Sequence, residues 1–303
     1  MGTSNPEIIE RIRYLSLVAR RMGESPLLAT PRRTLPAGGT EVTGFRDYSP
    51  GDNFSHVHWT WVARHDELLV KIFEGTADRY VHLLVDCSPG MAMGKPPKFE
   101  LARQVAAALG YVALMNMDRM DVATFADGLV ATLPTLRHPS RLPQLLRFLD
   151  RLAPSGTGTD LGRAAEMFVR RYRRPGPVVV ISDLYNPDDF RRPLDFLRFH
   201  GYDPRLVHLV NPRDTDWDLL GDMELLDVET QTVRQATITE RAARRYRELV
   251  AEFHESVRDY CSRRAMVYMP LACDMAADDV ILRVLGGTRS GSPVQPRPAA
   301  SVL

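Results

Sequence analysis

Val81-His82-Leu83-Leu84-Val85 is a short, nearly continuous apolar run, and it stops abruptly at Asp86, Ser88, Pro89 and Gly90. A run of that length, rich in branched residues and closed by turn residues, predicts a strand buried on both faces of a sheet. A helical pattern begins at about Lys98. The polar cluster therefore falls on a loop at the carboxyl end of a central strand, where open α/β sheets bind ligands. A carboxylate and a hydroxyl two residues apart are hard oxygen donors suited to Mg²⁺ or Mn²⁺. The same residues also make an ordinary turn with a helix cap. The stretch alone leaves both readings open.

The rest of the chain supplies partners for such a strand. From Arg79 onward, strand and helix signals alternate. Strands are expected over 79–85, 121–126, 129–133, 177–181, 204–210 and 265–269, and helices over 98–117, 139–152, 160–173, 187–200, 239–263 and 278–285. Asp127-Gly128 joins two strands as a hairpin. Residues 224–228 and 231–236 read as a second hairpin at a sheet edge. The helix from Thr239 carries Tyr246, Val250, Phe253, Val257 and Cys261 at steps of three or four, which places them on one face. This alternation predicts a doubly wound α/β domain with a mainly parallel sheet, Rossmann-like in outline.

Upstream, residues 6–22 have a helical pattern, and 23–39 are rich in proline and glycine, with Arg32-Arg33 reading as a solvated surface. Residues 40–74 crowd polar and aromatic side chains around the turn signal Pro50-Gly51-Asp52. That density suggests a segment locked by packing, with Trp59 buried, or a binding surface. Residues 68–73 read as a strand. The expected organisation is an appendage with a helix and strands over 1–78, the α/β domain over 79–288 and a disordered tail over 289–303.

Composition excludes several classes. With 39 Lys and Arg against 38 Asp and Glu, the net charge is +1, and nothing global points to nucleic acid. Cys87, Cys261 and Cys273 have no metal-type spacing and suggest free thiols in a reducing compartment. The longest mainly apolar segment, 105–115, is too short to span a bilayer. The N-terminus shows neither a signal-peptide core nor a myristoylation pattern. A cytoplasmic protein without membrane insertion is expected.

Three loops hold the chemistry: Asp86/Ser88/Gly90, Thr157/Thr159 and Asp183. Each precedes a helix, and a doubly wound sheet brings such loops to one edge. Two carboxylates and two or three hydroxyls facing one point match what Mg²⁺ takes. Thr159 is also a plausible N-cap. The loop 156–162 has the wrong spacing for a dinucleotide site, and a Walker A lysine motif is absent, so ATP hydrolysis by the chain is not expected. Ser88, Asp183 and His208 follow hydrolase order. Pro89, however, has no N–H for an oxyanion hole, and His208 falls within a strand.

Asp86-Cys87-Ser88-Pro89-Gly90, Thr157 or Thr159, and Asp183 resemble the metal-ion-dependent adhesion site of von Willebrand factor A domains, which runs Asp-x-Ser-x-Ser, then a distant Thr and a distant Asp. The upstream residues Arg46-Asp47-Tyr48-Ser49-Pro50-Gly51-Asp52, Val57-His58-Trp59, Ala63-Arg64 and Val70 to Glu74 resemble the signature of the family called domain of unknown function fifty-eight. The resemblance runs from about Gly44 to Met269. It implies a von Willebrand A-like fold in a bacterial setting, commonly with an AAA+ ATPase of the MoxR type as partner; the sequence does not identify the client protein that an adaptor of this kind would act on. It also implies Asp86, Ser88, Thr157 or Thr159, and Asp183 as ligands of Mg²⁺ or Mn²⁺. Gly90 stands where the motif has its second Ser, so the site is degenerate there. Ser55 and His58 stand where the family usually has Arg and Asp. The expected function is a non-enzymatic adaptor. The alternative is a metal-dependent enzyme that draws a base from Asp52, His56 or His58.

Overall fold

The computed structural model describes residues 10, 14, 25–29, 41–65, 67–74, 79–185, 189–214, 220–229 and 232–286. The expected helix over 6–22 falls almost entirely outside these residues. The tail over 289–303 and the Arg32-Arg33 pair fall wholly outside. The chain divides into two compact units, residues 30–79 and residues 1–29 with 80–303.

In the smaller unit, β1 (Glu41–Asp47) pairs antiparallel with β2 (Leu69–Glu74), with Phe45 opposite Lys71 and Asp47 opposite Leu69. Between them lies a helix, α1 (Trp59–His65), where the sequence pattern predicted strands only. Its first turn is capped by a side chain: His58 Nδ1 accepts the Trp61 N–H at 3.1 Å. Such a bond satisfies one of the donors a helix start leaves open. Arg46 grips Asp52 with two bonds of 2.7 and 2.6 Å, and the Ser49 amide donates to the same carboxylate at 2.8 Å. This lock explains the turn signal at Pro50-Gly51. Val57 and Val70, both buried, bridge the two halves. Trp59 is not buried as expected; it is 58% exposed. A tryptophan at the first position of a seven-residue helix has little surface to pack against.

The larger unit is built on a six-stranded sheet. Its strands are β3 (Tyr80–Asp86), β4 (Arg119–Phe125), β5 (Leu129–Leu136), β6 (Pro177–Ser182), β7 (Asp203–Val210) and β10 (Tyr268–Ala272). Their order is β10-β7-β6-β3-β4-β5. All neighbours are parallel except β5, which returns antiparallel along β4 through the Asp127-Gly128 turn. The sheet is thus the doubly wound, mainly parallel one expected. The chain grows from β3 to one side through β4 and to the other through β6, so the order reverses between β3 and β6.

Alternate residues of each central strand serve opposite cores. Leu83, Val85, Val122, Val179 and Ile181 face one core, with α2 (Lys98–Met115), α3 (Leu142–Arg151) and α7 (Ala277–Gly286). Leu84, Ala123, Phe125, Val178 and Val180 face the other, with α4 (Leu161–Arg171), α5 (Arg191–Phe199) and α6 (Glu240–Arg263). Burial on both sides is why these strands read as unbroken apolar runs. At Gly110 a Cβ would lie 2.4 Å from Leu145, so glycine there lets α2 and α3 approach closely. Residues 25–29 also belong to this unit. Leu27 and Leu28 enter the first core, Ser25 bonds Val284 O at 2.6 Å, and buried Arg205 donates to Pro26 O at 2.8 Å.

Two expectations are corrected. The second hairpin, β8 (Gly221–Leu226) with β9 (Val233–Ile238), forms its own two-stranded sheet and does not extend the edge of the main one. The last strand begins at Tyr268, not at 265, because α6 closes through Ala265 in the left-handed region, φ 51°. Glycine usually fills that position. Its absence removed the stop signal from the sequence.

Candidate functional site at the sheet switch point

The reversal of strand order puts the ends of β3 and β6 side by side, with Val85 opposite Ile181. Asp86, fully buried, closes β3, and Ser182 and Asp183 close β6. The Ser182 hydroxyl donates to Asp86 Oδ2 at 2.6 Å, and the Ser88 amide donates to Asp86 Oδ1 at 2.9 Å. Burial, together with the negative charge of Asp183, holds the Asp86 carboxyl well above the usual carboxylate range.

Above Asp86 opens a cleft of about 360 Å³, and its walls include Ser88, Gly90, Thr159 and Asp183. Four of the five expected site residues therefore meet here: three in the cleft and Asp86 beneath it. Thr157 does not line it; its hydroxyl donates to Asp127 Oδ2 at 3.3 Å. Thr159 is not the cap of α4. Asp160 holds that place and accepts the Arg163 N–H at 2.8 Å. The Thr159 hydroxyl donates instead to Glu229 Oε1 at 2.8 Å. Glu229 comes from the turn between β8 and β9, so that hairpin reaches over the cleft. Gly90 has ordinary backbone, and a Cβ there would lie 3.9 Å from the same Glu229 carboxylate.

The cleft also holds a cation that sequence reasoning missed. Lys98, the first residue of α2, is 3% exposed. Its Nζ donates to Asp183 Oδ2 at 2.6 Å and lies 3.3 Å from Asp214 Oδ2. It also stands 4.8 Å from the centroid of the Tyr185 ring. Burial works against the ammonium, but the charges and hydrogen bonds of Asp183 and Asp214 outweigh it and hold its pKa above the ordinary lysine value. A lysine at a helix N-terminus faces the unfavourable end of the macrodipole. That misplacement was the one available signal for Lys98. Asp214 and Glu229 come from distant loops and carried none.

The donor set tests the expected divalent ion. Every oxygen of the two carboxylates receives a donor from the protein. Asp86 takes Ser88 N and Ser182 Oγ; Asp183 takes the Tyr185 amide at 3.1 Å and Lys98. Two unit charges 4 Å apart repel by about 4 kcal/mol at an effective dielectric of 20. A divalent ion brought to Asp183 would first have to displace the ammonium. With Lys98 in place, these residues do not fit Mg²⁺ or Mn²⁺. Among the described residues, no three His, Cys, Asp or Glu side chains converge as a ligand group.

His208 serves Asp183 from behind. Its Nε2 donates to the Asp183 carbonyl at 3.2 Å, which leaves Nδ1 to accept from the Tyr268 hydroxyl at 2.9 Å. Burial, assisted by the neighbouring His254, pushes its pKa down to about 3. The imidazole is thus a neutral, fixed strut and not a base for Ser88. In the smaller unit, Asp52 is held by Arg46 and His58 by α1.

Comparison with known proteins gives a family and a set of relatives. The model of the family described as protein of unknown function DUF58 matches residues 44–257. Uncharacterized proteins of Mycobacterium bovis and Mycobacterium tuberculosis are 27% identical over 239 residues, covering 77% of this chain and 75% of theirs. Among solved structures, the conserved hypothetical protein BatB from Bacteroides thetaiotaomicron is 16% identical, with a TM-score of 0.43 over 68% of this chain and 96% of that one. A von Willebrand factor type A protein from Catenulispora acidiphila is 17% identical, with a TM-score of 0.36 over 47% of this chain and 35% of that one. Among the described residues, no helix is long and apolar enough to cross a membrane.

Proposed function

Because this chain belongs to the DUF58 family, whose description names no activity, we propose from its cleft that it is a non-enzymatic interaction module of the von Willebrand A type. One observation carries the reading. The loop edge at the switch point opens as a cleft, yet its acids are tied to an ammonium, hydroxyls and amides of the same chain. Catalysis needs a base within reach of a nucleophile or substrate proton. Here the imidazole behind Asp183, His208, is neutral and bonded at both nitrogens. Preformed polar groups around an open cleft suit recognition of a partner's side chain.

The partner we propose is an AAA+ ATPase of the MoxR type, with this chain linking it to a client protein. The support is the resemblance of the two motif regions, together with the missing Walker A lysine motif, which leaves nucleotide hydrolysis to another chain. The test is co-expression with a MoxR-type ATPase encoded in the same genome. Size-exclusion chromatography follows at micromolar concentration, with and without nucleotide, in EDTA and in Mg²⁺. A stable complex, and no ATPase activity of the chain alone, is the expected result. Separate elution under all conditions would refute the pairing.

A further inference from the structure

We propose that Lys98 neutralises this site in place of a divalent cation, so that the cleft engages its partner without Mg²⁺ or Mn²⁺. The inference rests on reading the cleft as an interaction face and specifies how that face works.

Four observations converge on it. The Lys98 ammonium is buried at the first turn of α2 and bonds Asp183 at 2.6 Å. A second carboxylate, Asp214, lies 3.3 Å away on the turn after β7, so the ammonium is held from two elements and not by chance from one. The second serine of the adhesion motif is Gly90, which removes one hydroxyl an ion would take. The Thr159 hydroxyl, another oxygen of that motif, is turned toward Glu229, to which it donates at 2.8 Å. A divalent ion in such a site neutralises carboxylates and fixes their geometry. Lys98 does both from within the chain. Asp86 is held separately, by the Ser182 hydroxyl at 2.6 Å and the Ser88 amide at 2.9 Å. The missing serine is then no defect. A hydroxyl at Gly90 would have no ion to bind.

The test is calorimetric titration of MnCl₂ into the full chain in metal-free buffer. The native protein should show no saturable binding up to millimolar Mn²⁺. Gly90→Ser should behave the same, because Lys98 remains. Lys98→Met leaves Asp183 and Asp214 without their cation, and should bind Mn²⁺ at least about tenfold more tightly than the native chain. Should Lys98→Met fail to fold, Lys98→Met with Asp214→Asn removes one of the uncompensated charges, and the native and Gly90→Ser titrations decide in any case. One-to-one micromolar binding by the native protein, abolished by Asp183→Asn, would overturn the inference. So would micromolar binding created by Gly90→Ser alone. Either result would leave the module reading standing, whereas loss of the ATPase pairing would not touch Lys98.

Discussion

Replacing Lys98 by methionine removes the charge and keeps most of the stem's packing. Lys98 and Asp183 are each 3% exposed, and their contact is 2.6 Å. Removing one member of a buried pair leaves the other charge uncompensated and costs about 3–5 kcal/mol. Asp214 adds little to that figure, because its side chain is 23% exposed and water can take over its hydrogen bonds. Asp183→Asn should cost less, because Asp214, 3.3 Å from the ammonium, still faces it. Lys98→Met with Asp183→Asn strands neither charge. The double variant should therefore lose about 2–3 kcal/mol less than the sum of the two singles, at the upper end of the roughly 0.5–3 kcal/mol seen for directly coupled residues. Urea denaturation followed by circular dichroism at neutral pH measures all four corners of the cycle, provided the slope with denaturant is unchanged. A cost below about 1 kcal/mol for Lys98→Met, or additive singles, would show that the ammonium is solvated and the argument from burial wrong.

Two further outcomes are expected. His208 has a folded pKa of about 3, below its ordinary value, so the unfolded chain takes the proton first. Stability is intact above about pH 6.5 and falls toward pH 3, with a loss of about 2 kcal/mol between about pH 7.5 and 5 from this residue alone. His208→Gln should remove that part of the slope, and an identical pH profile in both proteins would contradict the assignment. Trp59→Ala should change stability by no more than about 0.5 kcal/mol, as a surface change does, and a loss above about 2 kcal/mol would show it packs after all.

The α/β domain was legible because its strands are buried on two faces and its helices on one. Residues 81–85 and 177–181 read as central strands, and Thr239 caps α6 as read, with its side chain accepting the Ala242 N–H. What failed to show in the sequence depended on backbone angles or on contacts far along the chain. Ala265 ends a helix in a conformation its side chain does not advertise. The capping of α1 by His58 used a residue that the sequence offered as a possible base. At the site, the loop ends were predictable from topology, since the switch point follows from strand order. Their electrostatics were not. Lys98 lies 85 residues from Asp183, and Glu229 lies 70 from Thr159. Only folding brings them together.

The proposed docking face is the cleft. Met93 lines the cleft and is 48% exposed, so Met93→Glu changes its rim without touching either core. Phe199, 87% exposed, ends α5 just before β7 begins, at the opposite edge of the sheet, and Phe199→Glu serves as control. The decisive measurement is the affinity of each protein for the MoxR-type ATPase in EDTA, with melting temperatures recorded alongside. Met93→Glu should weaken the complex about tenfold or more while melting as the native chain does, and Phe199→Glu should bind as the native chain does. Native affinity in Met93→Glu, or a loss confined to Phe199→Glu, would contradict the claim that the partner docks at the switch point.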